Sequence, residues 1–285
     1  MLAKDTSVMR SSSSPLSLRA CRRLHSRKER RETGRFLVEG IRPTLTALQS
    51  NTPVELVLFA PDLLRGSHGQ EEVLDRARAR AIPCLRLTKA EFESLATRDR
   101  PQGIACVGKQ TWWNLNDLLH ANPGAPLVAL YEPQDPGNLG TILRCCDATG
   151  CAGVILIGNA TDPWHPWALR ASMGATFVSR LAPCDTASFT RWTRKHDLPV
   201  IGTSDRGAVD FATVDYPRPF VYPRPFVLLM GSERQGLPAD LEQVAGTIVR
   251  IPMTGCVDSL NLAVATAVVL YESNRQQRLP AEIDR

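Results

Sequence analysis

Residues 226–272 constrain the fold more than any other stretch, because strand and helix patterns alternate there around two glycine-bearing breaks. Phe226-Val-Leu-Leu-Met230 is an unbroken apolar run, which suits a strand buried on both faces of a parallel sheet. Gly231-Ser-Glu-Arg-Gln-Gly-Leu-Pro238 follows, two glycines around a lone acid, where a tight turn or a close backbone approach is expected. A short helical stretch leads to a second strand, Thr247–Ile251, which Pro252-Met-Thr-Gly255 ends. Ser259 stands where the N-cap of a long helix is expected, with Leu260, Ala263, Val264, Ala267, Val268 and Tyr271 at helical spacing. Strand ends that open into such turns make a ligand crevice in an α/β sheet.

The alternation continues upstream. Leu127–Tyr131, Val154–Ile157 and Pro199–Thr203 read as strands, separated by a helix from about Leu139 to Thr149, the segment Trp164–Met173, and a helix over Thr186–His196. This order predicts a mostly parallel sheet covered on both faces. The first hundred residues read as a smaller α/β unit. A basic helix is expected over Arg22–Arg31, then a strand Phe36–Gly40, and a helix that Pro43 opens from its first position. Val54–Phe59, Gln70–Ala81, Cys84–Leu87, Lys89–Ala96 and Gly103–Val107 complete it as strand, helix, strand, helix and strand. The expected boundaries are a disordered Ser-rich tail over 1–15, a first domain over 16–109, a linker over 110–125 and a second domain over 126–285. Trp112-Trp113 in the linker suits either base stacking or the capping of an apolar interface. Tyr216-Pro-Arg-Pro-Phe-Val221 is repeated at once as residues 222–227. Its prolines exclude a central strand, so the first copy reads as a loop. The duplication is either neutral or an RNA contact through Arg218 and Arg224.

The chain has 285 residues, 43% hydrophobic and 22% charged, enough to bury a core in each of two domains. No apolar run approaches the ~18–20 residues that span a bilayer. Eight cysteines with no Cys-x-x-Cys pair point to reduced thiols in a cytoplasmic protein. The five histidines show no metal-ligand spacing with carboxylates, so no metal is expected. Of the net charge of +5, residues 1–40 carry +6, with ten Lys/Arg against four acids. A polyanion such as RNA fits that local excess, and a solvated helix face is the plainer alternative. Arg and Ser enrichment also fits a transit peptide.

Three motifs resemble those of the SpoU/TrmH family of RNA ribose methyltransferases, in the SPOUT class. They are Asp135-Pro-Gly-Asn138-Leu-Gly-Thr-Ile-Leu-Arg144, Gly231-Ser-Glu-x-x-Gly-Leu-Pro238, and Ile251-Pro-Met-x-Gly-x-x-x-Ser-Leu-Asn261. Phe36–Gly40, Arg100-Pro-Gln-Gly103-Ile and Trp167–Ala175 resemble further phrases of the family, and Leu18–Arg35 resembles the start of its first domain, which argues against a transit peptide. The resemblance implies a SPOUT-type, mostly parallel α/β sheet with a C-terminal deep trefoil knot. A small RNA-binding domain like those of ribosomal proteins should precede it. The knot rests on the resemblance alone, since threading leaves no residue pattern.

The implied reaction is transfer of a methyl group from S-adenosylmethionine to a ribose 2′-hydroxyl, with ribosomal RNA favoured over transfer RNA, in a homodimer joined through the last helix. The resemblance assigns Arg144, Asn138, Glu233, Ser259 and Asn261 to catalysis. It assigns Thr203, Gly231, Ile251 and Leu260 to the cofactor through backbone groups, with Met253 as an apolar wall. Glycines at 202, 231 and 255 allow close approach to an adenosine. Guanidinium is effectively always protonated, so Arg144 suits stabilising a developing alkoxide better than acting as a base. Turn and N-cap duties are the alternatives for Asn138 and Ser259, and Glu233 could merely tie down its own turn. Two other classes compete. A non-catalytic RNA-binding assembly factor of the same fold should have lost Asn138, Arg144 or Asn261, and all three are present. A Rossmann dehydrogenase would need Gly-x-Gly-x-x-Gly and an acid at the next strand end, and both are missing.

Overall fold

A computed structural model describes residues 16–64, 69–97, 99–217 and 225–278. The expected tail at 1–15, and Arg218 and Arg224 of the duplicated hexapeptide, lie outside the described residues. The chain divides into two compact units. The first extends to Thr111 and takes in Asp162–Val178, and the second comprises Trp112–Thr161 and the chain from Ser179 onward.

In the first unit, strands β1 (Arg35–Glu39), β2 (Val54–Phe59), β3 (Cys84–Arg86) and β4 (Ile104–Lys109) form one sheet. Their order is β1-β4-β2-β3, with β2–β3 parallel and the other pairs antiparallel. Leu37, Leu56, Leu58, Phe92, Ala105 and Val107 share its core. The single basic helix expected over Arg22–Arg31 is instead two, Leu18–Arg23 and Arg27–Thr33, because Ser26 takes an extended N-cap conformation between them. Arg30 turns inward and is 1% exposed. Its Nε donates to Asp162 at 2.7 Å, and Nη1 donates to the carbonyls of Leu24 and His25 at 2.8 and 2.9 Å. Pro43 is the third residue of the helix Ile41–Gln49 rather than the first. First-turn N–H groups have no intrahelical partner, so proline fits there as well.

Asp162–Val178 corrects the expected domain limits. Its helix Pro166–Ser172 and the turn Ala175–Phe177 belong to the first unit. Trp164 stacks on Phe36 with ring centroids 4.9 Å apart, and Phe177 lies 5.3 Å from the same ring. Gly174 has φ +102°, and a Cβ there would sit 2.8 Å from the Cβ of Thr46. Residues 110–125 are not a free linker either. Leu115–Leu119 is a helix with an Asn114/Asp117 capping box, and Leu118 is fully buried in the second unit's core.

The second unit is built on β5 (Leu127–Tyr131), β6 (Gly153–Ile157), β7 (Leu181–Cys184), β8 (Val200–Thr203), β9 (Val209–Asp210), β10 (Val227–Met230) and β11 (Thr247–Arg250). Their order is β7-β6-β5-β10-β8-β11-β9, and every pairing is parallel. The edge strands β7 and β9 have no counterpart in the sequence reading. Both are short, and β7 carries Pro183, which an edge position tolerates. From β5 the chain builds outward through β6 and β7. It then returns for β8 on the other side, leaving a slot that β10 fills. This reversal is a topological switch point, and the loops after β5, β8, β10 and β11 open at one edge of the sheet.

Two helix starts differ from expectation. The helix after β5 runs Pro136–Thr149, with Asp135 as N-cap accepting the Asn138 N–H at 2.7 Å, so it begins three residues before Leu139. The last helix is Leu262–Arg278. Asn261 rather than Ser259 caps it, its Oδ1 accepting the N–H groups of Ala263 and Val264 at 2.9 and 3.3 Å. The face that packs is rotated from the predicted stripe. Leu262, Ala263, Thr266, Val269, Leu270 and Ser273 are buried, and this helix packs on Pro136–Thr149. Val264 and Tyr271, both in the predicted stripe, are exposed.

All eight cysteines are free. Burial pushes the Cys106 thiol up to about 12 and the Cys21 thiol to about 11. Among the described residues, no helix is long and apolar enough to cross a membrane. Removing the partner of a buried arginine leaves an uncompensated charge. Asp162→Ala is therefore expected to lower the unfolding free energy by about 3 kcal/mol, read from urea denaturation. An unshifted midpoint would mean that the Arg30 pair contributes nothing.

Candidate active site

The loop after β10 closes on itself. Ser232 and Gly236 exchange backbone hydrogen bonds of 3.0 and 3.1 Å, forming an isolated antiparallel bridge. A Cβ on Gly231 would lie 2.3 Å from the carbonyl carbon of Gly236, so only glycine fits at the neck of this ring. The ring carries Glu233 outward.

Glu233 joins the loop to two distant parts of the chain. Its carboxylate accepts the N–H groups of Gln134 and Asp135 at 3.0 and 3.3 Å, and the side-chain amide of Asn138 at 3.1 Å. Burial alone would raise its pKa, but these donors, led by the Gln134 N–H, outweigh it and hold the carboxyl below the usual range. A carboxylate only accepts, so Asn138 must turn its NH2 toward Glu233 and its oxygen away. That oxygen accepts the Asn261 Nδ2 at 2.8 Å. Glu233, Asn138 and Asn261 thus form one polar chain that ends on the cap of the last helix. Gln134 and Asp135 enter it through their backbones and were not singled out in the sequence. The signal for Asp135 was legible, since Asp before Pro is an ordinary helix start.

Beside this chain lies a cavity of about 540 Å³, within the usual range of small-molecule sites. Eight of the ten expected site residues line it: Thr203, Gly231, Glu233, Ile251, Met253, Ser259, Leu260 and Asn261. Arg206, Arg234, Glu242 and Asp258 also line it and were not anticipated. They come from the loops after β8 and β11, from the closed ring and, for Glu242, from the short helix Ala239–Glu242, whose spatial convergence no linear spacing shows. A nucleoside with an amino-acid tail fits the mixture of backbone edges, apolar wall and charged rim. Two of the expected glycines behave otherwise. A Cβ on Gly202 would meet Ala245 at 3.0 Å, so that residue serves packing, and Gly255 faces open space.

Asn138 stands outside the cavity lining and reaches it only through Glu233 and Asn261. Arg144 does not line it. It is the ninth residue of its helix. Six residues from Asn138 put it ~9 Å along the axis and a third of a turn off the asparagine's face. It is exposed and, among the described residues, has no hydrogen bond or ion pair.

Comparison with known proteins bears on this geometry. Residues 125–271 match the SpoU rRNA Methylase family. The chain belongs to that family. The SpoU match runs unbroken through Asp162–Val178, although that segment packs in the first unit. Residues 17–106 match the MRM3-like substrate binding domain. A relative from Synechocystis sp., named an uncharacterized tRNA/rRNA methyltransferase, is 31% identical over 97% of this chain and 96% of its own. The 23S rRNA (uridine(2479)-2′-O)-methyltransferase of Streptomyces viridochromogenes is 29% identical over 89% of this chain and 87% of its own. The crystal structure of an AdoMet-bound rRNA methyltransferase from Sinorhizobium meliloti superposes with a TM-score of 0.80 at 36% identity, covering 92% of this chain and 95% of that one.

A side chain forced into the neck of the SpoU loop has nowhere to go but against backbone. Gly231→Ala is expected to open the Ser232–Gly236 bridge and weaken S-adenosylmethionine binding by about tenfold or more, the scale of overpacking a tight contact. Calorimetric titration measures it, and an unchanged affinity would detach the closed ring from the cofactor site.

Proposed function

We propose that this SpoU methylase transfers the methyl group of S-adenosylmethionine to a ribose 2′-hydroxyl of large-subunit ribosomal RNA. The cavity carries the proposal: it is of nucleoside size, lies among the loops after β8, β10 and β11, and adjoins the polar chain Glu233–Asn138–Asn261. Relatives named for 23S rRNA favour that target over transfer RNA. Thr203, Gly231, Ile251 and Leu260 would hold the cofactor through their backbones, with Met253 as the apolar wall. When bound, S-adenosylmethionine supplies an electrophilic methyl on a positively charged sulfur.

The residues of the chain do the rest by alignment and charge. The bond from the 2′-oxygen to the methyl carbon forms as the carbon–sulfur bond breaks, and the hydroxyl proton leaves to water or to an RNA phosphate. Arg144 keeps its proton and stabilises the developing alkoxide. Its guanidinium is exposed and, among the described residues, makes no hydrogen bond or ion pair, so its charge is available to an incoming ribose. Asn138 and Asn261 hold the surrounding loops in register, Glu233 anchors Asn138 directly and Asn261 through it, and Ser259, on the cavity wall, would help orient the substrate. The first unit docks RNA through the exposed Arg19, Arg22, Arg23, Arg27 and Arg31. We assign the cytoplasm as its compartment and the family's deep trefoil knot to the cofactor loops.

Removal of Arg144 tests the chemical role. Arg144→Ala is expected to leave cofactor affinity unchanged while methyl transfer to RNA falls by about 10²-fold or more, as for loss of one donor to a developing oxyanion. Retained transfer would sink the assignment.

A homodimer through the last helix is also proposed. One face of that helix is buried within its unit, and Val264 and Tyr271 leave a second apolar strip, seven residues apart, open to solvent. Val264→Asp is expected to convert a dimer to a monomer in light scattering. A wild-type protein that scatters as a monomer would refute the pairing.

A further inference from the structure

The segment Asp162–Val178 does more than plug the first unit. Its inner side is fixed by Asp162 on Arg30, by Trp164 on Phe36, and by Gly174 against Thr46. One turn beyond that anchor, Trp167 is 64% exposed, the most exposed large apolar side chain among the described residues. An indole left in water contributes little to folding. The ring of His165 lies perpendicular to it, centroids 6.2 Å apart, and His165 Nδ1 caps the helix by accepting the backbone N–H of Trp167 at 3.2 Å. Arg170, three residues on, is exposed on the same helix face, within the 5–6 Å spacing of such neighbours.

Trp167 and Arg170 border a recess of about 40 Å³ that His25 and Thr97 also line. His25 Nε2 donates to the Leu95 carbonyl at 2.8 Å. In the neutral ring the other nitrogen, Nδ1, is an acceptor, and among the described residues it is buried with no hydrogen-bond partner. The recess holds a water or an amino group and is too small for a base. Its rim therefore offers an exposed aromatic plane, a cation one helical turn away, and buried acceptors in His25 Nδ1 and the carboxylate of Glu39, which also lines the recess and accepts the Thr97 N–H at 3.2 Å. Those are the elements by which single-stranded RNA is recognised: stacking, a phosphate contact and a base edge.

We propose that Trp167 and Arg170 form a platform for one unpaired nucleotide of the RNA substrate. The base stacks on the indole, its phosphate meets the guanidinium, and an exocyclic amino group points toward His25 Nδ1. The proposal rests on RNA being the substrate. It adds Trp167 and Arg170, which lie on the first unit but outside residues 17–106, the stretch that matches the substrate binding domain.

The full-length protein and its Trp167→Ala, Trp167→Phe and Arg170→Gln variants are titrated with fluorescein-labelled oligoadenylate over a salt series. Methyl transfer to ribosomal RNA is measured in parallel. Trp167→Ala should weaken oligoadenylate binding by about 5- to 100-fold without changing the salt slope. It should raise the KM for RNA while kcat and cofactor affinity hold. Trp167→Phe, which keeps an aromatic plane, should restore most of the affinity. Arg170→Gln should flatten the salt slope by about 0.7, the share of one phosphate on a single strand. Oligouridylate, which lacks the amino group, should bind the unmodified protein more weakly than oligoadenylate. Unchanged RNA affinity in Trp167→Ala would overturn the platform, as would loss of self-association in its place, which would mean that a second copy covers this face. If Trp167→Ala loses RNA binding but the unmodified protein methylates no RNA, the platform stands and the catalytic reading fails.

Discussion

One carboxylate organises the candidate site. Glu233 receives two backbone N–H groups from the loop after β5 and the amide of Asn138, and Asn138 receives Asn261. Each bond leaves a single choice for the next, because the carboxylate only accepts and each amide has one donating and one accepting end. The chain of choices ends on the N-cap of the last helix. Three motifs, the first about a hundred residues upstream of the other two, are thereby held at one sheet edge. The parallel order of β5, β10, β8 and β11 makes this possible, since it delivers all four following loops to the same side.

A second constraint is aromatic and lies in the first unit. Phe36 on β1 meets Trp164 and Phe177 from a segment more than a hundred residues downstream, and the buried Arg30–Asp162 pair closes the same junction. Chain that runs within the stretch matching the SpoU family is thus built into the first unit, which carries the match to the substrate binding domain. Its buried side serves stability. Its exposed side carries Trp167, edge-on to His165, and Arg170 on the same helix face.

Much of this was legible in the residues. Each predicted strand forms, within a residue or two at its ends, because long apolar runs bounded by glycine and proline leave little choice. The misreadings have local causes. The first motif's helix begins at Pro136, since Asp135 caps it, and the last helix begins after Asn261 because that asparagine, not Ser259, turns its oxygen to the free N–H groups. The short edge strands β7 and β9 lack a periodicity that could reveal them. The rotation of the last helix was hidden because it is apolar on more than one side, so spacing alone could not say which strip faces inward.

By itself the sequence determined the alternating α/β pattern, the three motifs and the chemistry they imply, because turn residues, apolar periods and polar side-chain types are local properties. Tertiary structure alone decided that Asp162–Val178 leaves the stretch it is encoded in, that Arg144 stands apart from the cavity its companions line, and that Trp167 is exposed beside Arg170. Those outcomes depend on which buried faces meet in space, and complementary burial between distant segments leaves no spacing in a linear chain to be read.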